Sequence, residues 1–259
     1  MALKRAVLTL WLASACAVSM PRPASAQVNV EPLRKELERE RLGGRVGASL
    51  AGYRGNTEGV VMGALVLVGG HLSRHFGYVN AAGDYSRLGG STQVAKTFGH
   101  VRHNYELLPW LWSEAFAQLE SDRFRRIVLR ELIGAGSRLA IVKTEATSSY
   151  LGLAYLLEYT RITEAQAPAD RTTLAHRLSG YATVTFEPSR RVLLSETLYF
   201  QPRIDAPSNY HLLSVTALVF SVTDRLASRI DSTLRYESEP PADVGSLDWE
   251  IKNSIMLRF

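Results

Sequence analysis

From Gly44 to its last residue the chain alternates apolar and polar side chains. The alternation comes in runs separated by short breaks rich in Gly, Pro, Asn, Ser and Asp. A side-chain period of two is that of a β-strand, so each run presents one apolar and one polar face. The last run is the clearest. Phe259, Leu257, Ile255, Ile251, Trp249 and Leu247 share one parity, broken only by Asn253; Arg258, Met256, Ser254, Lys252, Glu250 and Asp248 hold the other. The pattern predicts strands over 44–54, 58–72, 76–88, 92–106, 110–121, 126–139, 144–161, 172–186, 191–201, 209–222, 225–237 and 247–259. In the eleventh, Leu226, Ile230, Leu234 and Tyr236 oppose Arg225, Arg229, Asp231 and Arg235. In the eighth, Leu174, Leu178, Ala182, Val184 and Phe186 oppose Arg177, Ser179, Tyr181, Thr183 and Thr185. In the seventh, Leu151, Leu153, Tyr155, Leu157 and Tyr159 share a face. Glu196 and Glu131 fall on otherwise apolar faces, and the fourth and tenth runs do not assign clearly.

About twelve strands is an even number, as in single-chain outer-membrane barrels. The connections after the seventh, ninth and eleventh strands are long and Pro-rich, and those after the eighth and tenth are short. Short periplasmic turns and longer outer loops would produce that alternation. An amphipathic final strand ending on an aromatic residue resembles the closing strand of bacterial outer-membrane β-barrels. The resemblance implies an assembly signal at Phe259, Leu257 and Ile255. The expected fold class is therefore all-β: a transmembrane antiparallel up-and-down β-barrel preceded by a short charged helix. Mean hydropathy is only −0.05, and no stretch after the leader is apolar for the ~18 residues a membrane helix needs. This excludes a helical membrane protein but not a barrel, whose strands alternate. Trp110, Trp112 and Phe76 near predicted periplasmic turns, with Tyr159, Tyr210 and Trp249 near the outer ends, fit two interfacial aromatic girdles.

The N-terminus predicts the compartment. Lys4 and Arg5 precede an apolar run over 6–20, then Pro21, Pro23 and Ala24-Ser25-Ala26. This is the pattern of a secretory signal peptide cut before Gln27. The competing reading, lipoprotein processing at Cys16, lacks the usual Leu three residues earlier. Residues 28–42 form a charged segment with Pro32 suited to a first helical turn and Gly43-Gly44 to a stop. It reads as a short helix on the periplasmic side or in the lumen, or as a frayed leader. The expected organisation is 1–26 signal peptide, 27–43 charged segment and 44–259 barrel. Cys16 is the sole cysteine, so the processed chain has none, and stability must come from a closed, fully paired backbone. The net charge of +5 includes Lys4, Arg5 and Arg22, leaving 5 − 3 = +2 after processing. Without a basic cluster interleaved with aromatics, nucleic acid is not an expected partner.

Phe116-Ala117-Gln118-Leu119-Glu120-Ser121-Asp122-Arg123-Phe124, Leu129-Arg130 and Gly134-Ala135-Gly136 resemble the salt-induced outer-membrane protein family, a domain of unknown function. Gly55-Asn56-Thr57-Glu58, Ser208-Asn209-Tyr210, Tyr236-Glu237-Ser238 and Phe259 fit the same pattern, from about Leu42 onward. After Phe124, Arg125-Arg126-Ile127 departs from the acidic stretch typical of that family. The resemblance implies an outer-membrane barrel and no established chemistry.

The candidate chemistry thins out under inspection. His100 and His103 are three apart on a strand and face opposite sides, and His71 and His75 lie ~13 Å apart along one, so neither pair makes a metal site. Gly134-Ala135-Gly136 lies inside a strand with no helix after it and reads as small residues at a bend. A lipid-modifying enzyme would need a serine near His176, and Ser148, Ser149, Ser195 and Ser208 lack a convincing spacing. No enzyme activity and no cofactor are expected. The inward set is the informative one: Arg126, Arg130, Arg138, Arg177, Arg225, Arg229, Asp231, Arg235, Glu250 and Lys252, with Glu114, Gln118 and Glu120 from the fifth strand. Such charges either line a narrow, anion-leaning passive channel or pair up and close it. The alternative is a non-conducting structural or stress-response barrel. Expected partners are outer-membrane lipids and lipopolysaccharide, with the barrel-assembly machinery and periplasmic chaperones during biogenesis.

Overall fold

The computed structural model describes residues 34, 37, 41–53, 59–123, 125–163, 171–241 and 244–259. The strands are β1 (Gly43–Tyr53), β2 (Gly59–Leu72), β3 (His75–Leu88), β4 (Ser91–Leu108), β5 (Leu111–Asp122), β6 (Ile127–Lys143), β7 (Thr147–Ile162), β8 (Arg171–Ser189), β9 (Val192–Pro202), β10 (Tyr210–Ser221), β11 (Leu226–Glu237) and β12 (Leu247–Arg258). Each pairs antiparallel with its neighbours in sequence, and β12 returns to β1, so the sheet closes into a barrel. At the seam Gly44 N donates to Phe259 O (2.9 Å) and Phe259 N to Gly44 O (3.1 Å). A closed sheet leaves no unpaired strand edge, the condition for crossing a bilayer with strands.

The period-two pattern becomes inside and outside. Leu247, Trp249, Ile251, Ile255, Leu257 and Phe259 point outward and are exposed, as are Leu151, Leu153 and Tyr155 of β7 and Leu174, Leu178 and Val184 of β8. Polar side chains of opposite parity are buried in the lumen, such as Thr183 (1 %), Arg138 (0 %) and Arg229 (0 %). An apolar exterior over a polar interior is the inverse of a soluble barrel and matches hydrocarbon as the surrounding solvent. Tyr210 packs on Phe200 and on Tyr236 with ring centroids 5.6 and 5.8 Å apart. The periplasmic girdle needs correction: Trp112 and Phe76 are buried and face the lumen, because they share parity with Glu114 and Asn80. Trp110, in the β4–β5 turn, is exposed.

Of the leader, the described residues Arg34 and Leu37 are helical and buried. The expected signal segment and the rest of the charged helix lie outside the described residues. Leu37 packs inside the barrel against Leu67, Phe76, Tyr78, Leu193, Val219, Ala227 and Met256. This apolar plug occupies the end of the lumen where β12 finishes. Arg34 lies over the rings of Phe76 (5.1 Å) and Tyr150 (5.9 Å).

Candidate functional site: the barrel lumen

Chemistry-bearing side chains of the described residues converge in the lumen. Its outer layer is an ion-pair network. Glu120 (β5) takes Arg125 (2.9 Å) and Arg235 of β11 (3.1 Å). Glu237 (β11) pairs with Arg125 and with Arg130 of β6 (3.3 Å). Arg125 also approaches Asp248 of β12 (3.7 Å). Glu158 (β7) holds Arg177 of β8 (3.2 Å), with the His211 ring at 3.9 Å. In a ring of twelve strands β5 and β11 are six places apart, so these contacts span a diameter. Glu120, Arg125, Arg235 and Glu237 are all buried; an open bore would leave them wet.

A second group fills the side of the lumen near the seam. Lys96 (β4) binds both oxygens of Glu250 on β12 (3.1 and 3.0 Å) and lies 3.5 Å from Asp84 on β3. Lys252 also pairs with Asp84, and Arg229 forks onto Asp231 (2.6 Å). Below the outer network, Tyr181 (β8) donates to Glu114 on β5 (2.8 Å). Arg102 lies 3.6 Å from Glu114 and over the Phe116 ring (4.8 Å), and Arg138 lies over Tyr150 (3.8 Å). Aromatic faces and carboxylates together compensate guanidinium groups that burial would otherwise make costly. Between these layers lies a central cavity of about 60 Å³, bordered by Arg102, His100 and Gln118. A larger vestibule of about 400 Å³ lies at the leader's end, lined by Arg34, Arg74, Lys143, Glu106, Glu145 and Tyr150 among others. At the outer rim, Arg203 forks onto Asp205 (3.0 and 2.6 Å) and holds its carboxyl below the ordinary value.

Of the sequence-predicted lining, Glu114, Gln118, Glu120, Arg130, Arg138, Arg177, Arg229, Asp231, Arg235, Glu250 and Lys252 point into the barrel. Two do not belong to strands. Arg126 sits in the β5–β6 turn with φ +57°, and β6 starts only at Ile127. The left-handed residue and a register shift between Glu120 and Asp122 break the parity, so Arg125 enters the network instead. Arg225 is exposed in the β10–β11 turn, where Thr223 Oγ1 accepts from the Arg225 N (3.2 Å) and Leu226 N (2.9 Å) and ends the strand early. The predicted set also left out Asp84, Lys96, Arg102 and His211, as well as Glu158 and Glu237, which share the inward parity of β7 and β11.

The enzyme candidates disperse. His176 faces outward and bonds the Tyr155 hydroxyl. Ser148 and Ser195 are buried on the lumen side, and Ser195 accepts from Thr185 (3.3 Å). His100 is buried in the lumen while His103 faces outward and meets His75 (3.0 Å). Among the described residues no group of three or more His, Cys, Asp or Glu could hold a metal ion.

The family model described as "Protein of unknown function, DUF481" matches residues 46–259. The chain belongs to the DUF481 family. No curated protein matches this DUF481 chain. Among solved structures it is similar to the NanC porin in a rhombohedral crystal form (10 % identity, TM-score 0.47, 84 % of this chain and 97 % of that one). It is also similar to the KdgM porin in complex with disordered oligogalacturonate (9 %, 0.39, 84 % and 96 %). A third is the translocator domain of the autotransporter NalP from Neisseria meningitidis (9 %, 0.44, 84 % and 86 %). Likenesses this distant say nothing about what the DUF481 barrel carries.

Proposed function

We propose that the protein is a bacterial outer-membrane β-barrel, exported by a cleaved leader over 1–26, whose lumen is closed by ion pairs and passes no steady current in that state. One observation carries the closure: Arg125 reaches from the β5–β6 turn to Glu237 on β11 and Asp248 on β12. The apolar exterior and the outer aromatic row support the membrane setting, with lipid and lipopolysaccharide as its surroundings. The closing strand ending on Phe259 supports delivery by the barrel-assembly machinery. A catalytic role has no support from a His176 bonded to Tyr155. Induction by salt, the property in the name of the resembling family, belongs to the proposal too; a rise in transcript after osmotic shock tests it.

A second reading, the narrow anion-leaning channel, is favoured by the vestibule, where Arg34, Arg74 and Lys143 outnumber Glu106 and Glu145. The central cavity of about 60 Å³ weighs against continuous flow, since it has room for only a few water molecules. The deciding experiment is single-channel recording of the purified chain in a planar bilayer under a salt gradient. A heat-modifiable barrel that stays silent agrees with closure. Steady conductance with an anion-selective reversal potential overturns it in favour of the channel.

A further inference from the structure

The outward face of β9–β12 carries polar groups that a lipid-facing wall does not need. Glu196 (β9), Thr216 (β10), Ser232 (β11) and Asn253 (β12) all point away from the lumen. Glu196 is register-paired with Thr216, and Thr216 with Ser232. Asn253 stands opposite Ile230, one outward step along β11. Ser232 is four positions from Tyr236, in the outer aromatic row, and six from Leu226 at the far end of β11 (236 − 232 and 232 − 226). The polar row therefore crosses the middle of the apolar band. A carboxyl or an amide at that depth is costly against hydrocarbon. Glu196 meets part of its demand by accepting from Ser214 (2.7 Å) and Thr216. Trp249 Nε1 donates to Ser232 (2.9 Å). The Asn253 side chain is exposed. On the opposite wall the register row runs Ala81, Gly99, Leu119 and Glu131, so Glu131 is its one polar side chain. Glu131, the outward carboxylate of β6, lies beside Tyr159 near the strand end.

We propose that this face is the contact surface of a parallel homodimer, its occupant a second copy of the chain. The proposal rests on the outer-membrane reading, because a shared insertion direction makes the two copies parallel. A two-fold axis along the membrane normal between β10 and β11 keeps every residue at its own depth. It brings β9 of one copy against β12 of the other. Glu196 then meets the partner's Asn253, an acceptor facing an amide donor, and Thr216 meets the partner's Ser232, hydroxyl to hydroxyl. The row is thus complementary to itself, as an isologous interface requires, and hydrogen bonds between transmembrane elements replace groups left bare in lipid.

The test is disulfide trapping in native membranes, using the full chain with Cys16→Ser so that one engineered thiol is the sole cysteine. Leu218→Cys, on the outward face of β10 beside the proposed axis, should give a covalent dimer on oxidation. Ala117→Cys on the opposite wall should stay monomeric. Adding Glu196→Leu and Asn253→Leu, which suit lipid and leave the barrel heat-modifiable, should lower the Leu218→Cys dimer several-fold. A heat-modifiable Leu218→Cys barrel that stays monomeric overturns the dimer and leaves the outer-membrane reading intact. So does equal trapping at both walls. Absence of any heat-modifiable membrane species overturns both.

Discussion

Arg125 and Glu237 form an ion pair across the lumen, one from the β5–β6 turn and the other from β11. Both are buried, so the pair depends on the network around it: Glu120 accepts from Arg125 at 2.9 Å and Arg130 donates to Glu237 at 3.3 Å. Groups that share a buried network couple, with interaction energies of about 0.5–3 kcal/mol. A double-mutant cycle on Arg125→Ala and Glu237→Gln, read by urea unfolding in micelles, should give a coupling in that range. Removing either partner alone should cost more than the pair is worth, because the other charge stays buried. A coupling near zero would mean that the two walls are not bridged.

Gly152 makes room for the layer beneath. A Cβ there would lie 2.1 Å from the Tyr181 ring and 2.6 Å from its hydroxyl. That hydroxyl donates to Glu114 at 2.8 Å, so a methyl group at 152 must displace the ring and break the bond. Gly152→Ala should destabilise by about 1–3 kcal/mol, the usual cost of overpacking. Gly180→Ala is the matched control: on the next strand, its nearest atom would be 4.0 Å away. Its urea midpoint should stay at or above that of the parent, since alanine limits the unfolded chain more than glycine does.

How much of this was legible follows from which faces differ. β7, β8 and β11 separate lipid from charge, so parity alone reads them. β10 does not, because its inward residues Leu213, Val215, Ala217 and Val219 are apolar, Val219 within the plug and Leu213 and Val215 beside the central cavity, while Leu212, Leu218 and Phe220 face outward. Apolar residues on both faces erase a period of two. β4 fails for the opposite reason: small or polar Thr97, Gly99 and His103 lie outside, and Lys96, His100 and Arg102 inside. Gly134 and Gly136 were readable as small but not as to cause. Their Cβ positions are filled by Phe116 and by the Leu153 carbonyl, a matter of packing rather than a bend. Arg125 was out of reach, because a turn residue has no parity to follow. The cross-lumen partners of each charge come from strands far apart in sequence, as with Lys96 and Glu250.

Phe259 separates assembly from stability. Its backbone closes the seam with Gly44, yet the side chain is 71 % exposed. Truncation removes little buried surface, so Phe259→Ala should change the unfolding free energy of the refolded barrel by no more than about 0.5 kcal/mol. If the terminal aromatic is an assembly signal, the same variant should show much less heat-modifiable barrel in the outer membrane of growing cells. Equal levels of parent and variant would remove that role.

On the proposed closed-lumen reading the two ends are shut by different physics, which gives conductance an unusual signature. The outer layer is ionic, centred on Arg125, and the layer at the leader's end is apolar, centred on Leu37, which is fully buried among Leu67, Tyr78, Val219 and Met256. Closures in series do not add: opening one leaves the other to set the current. Leu37→Ala alone should destabilise by about 2–5 kcal/mol, the cost of a cavity in a packed cluster, and stay nearly silent in a planar bilayer. Arg125→Ala alone should also stay nearly silent. The double variant should conduct far more than the sum of the two, with an anion-leaning reversal potential set by Arg34, Arg74 and Lys143 in the vestibule. Three silent variants would place the closure in the middle layer, at Arg102, Glu114 and Tyr181. A single variant that conducts as well as the double would show that only one layer holds the barrel shut.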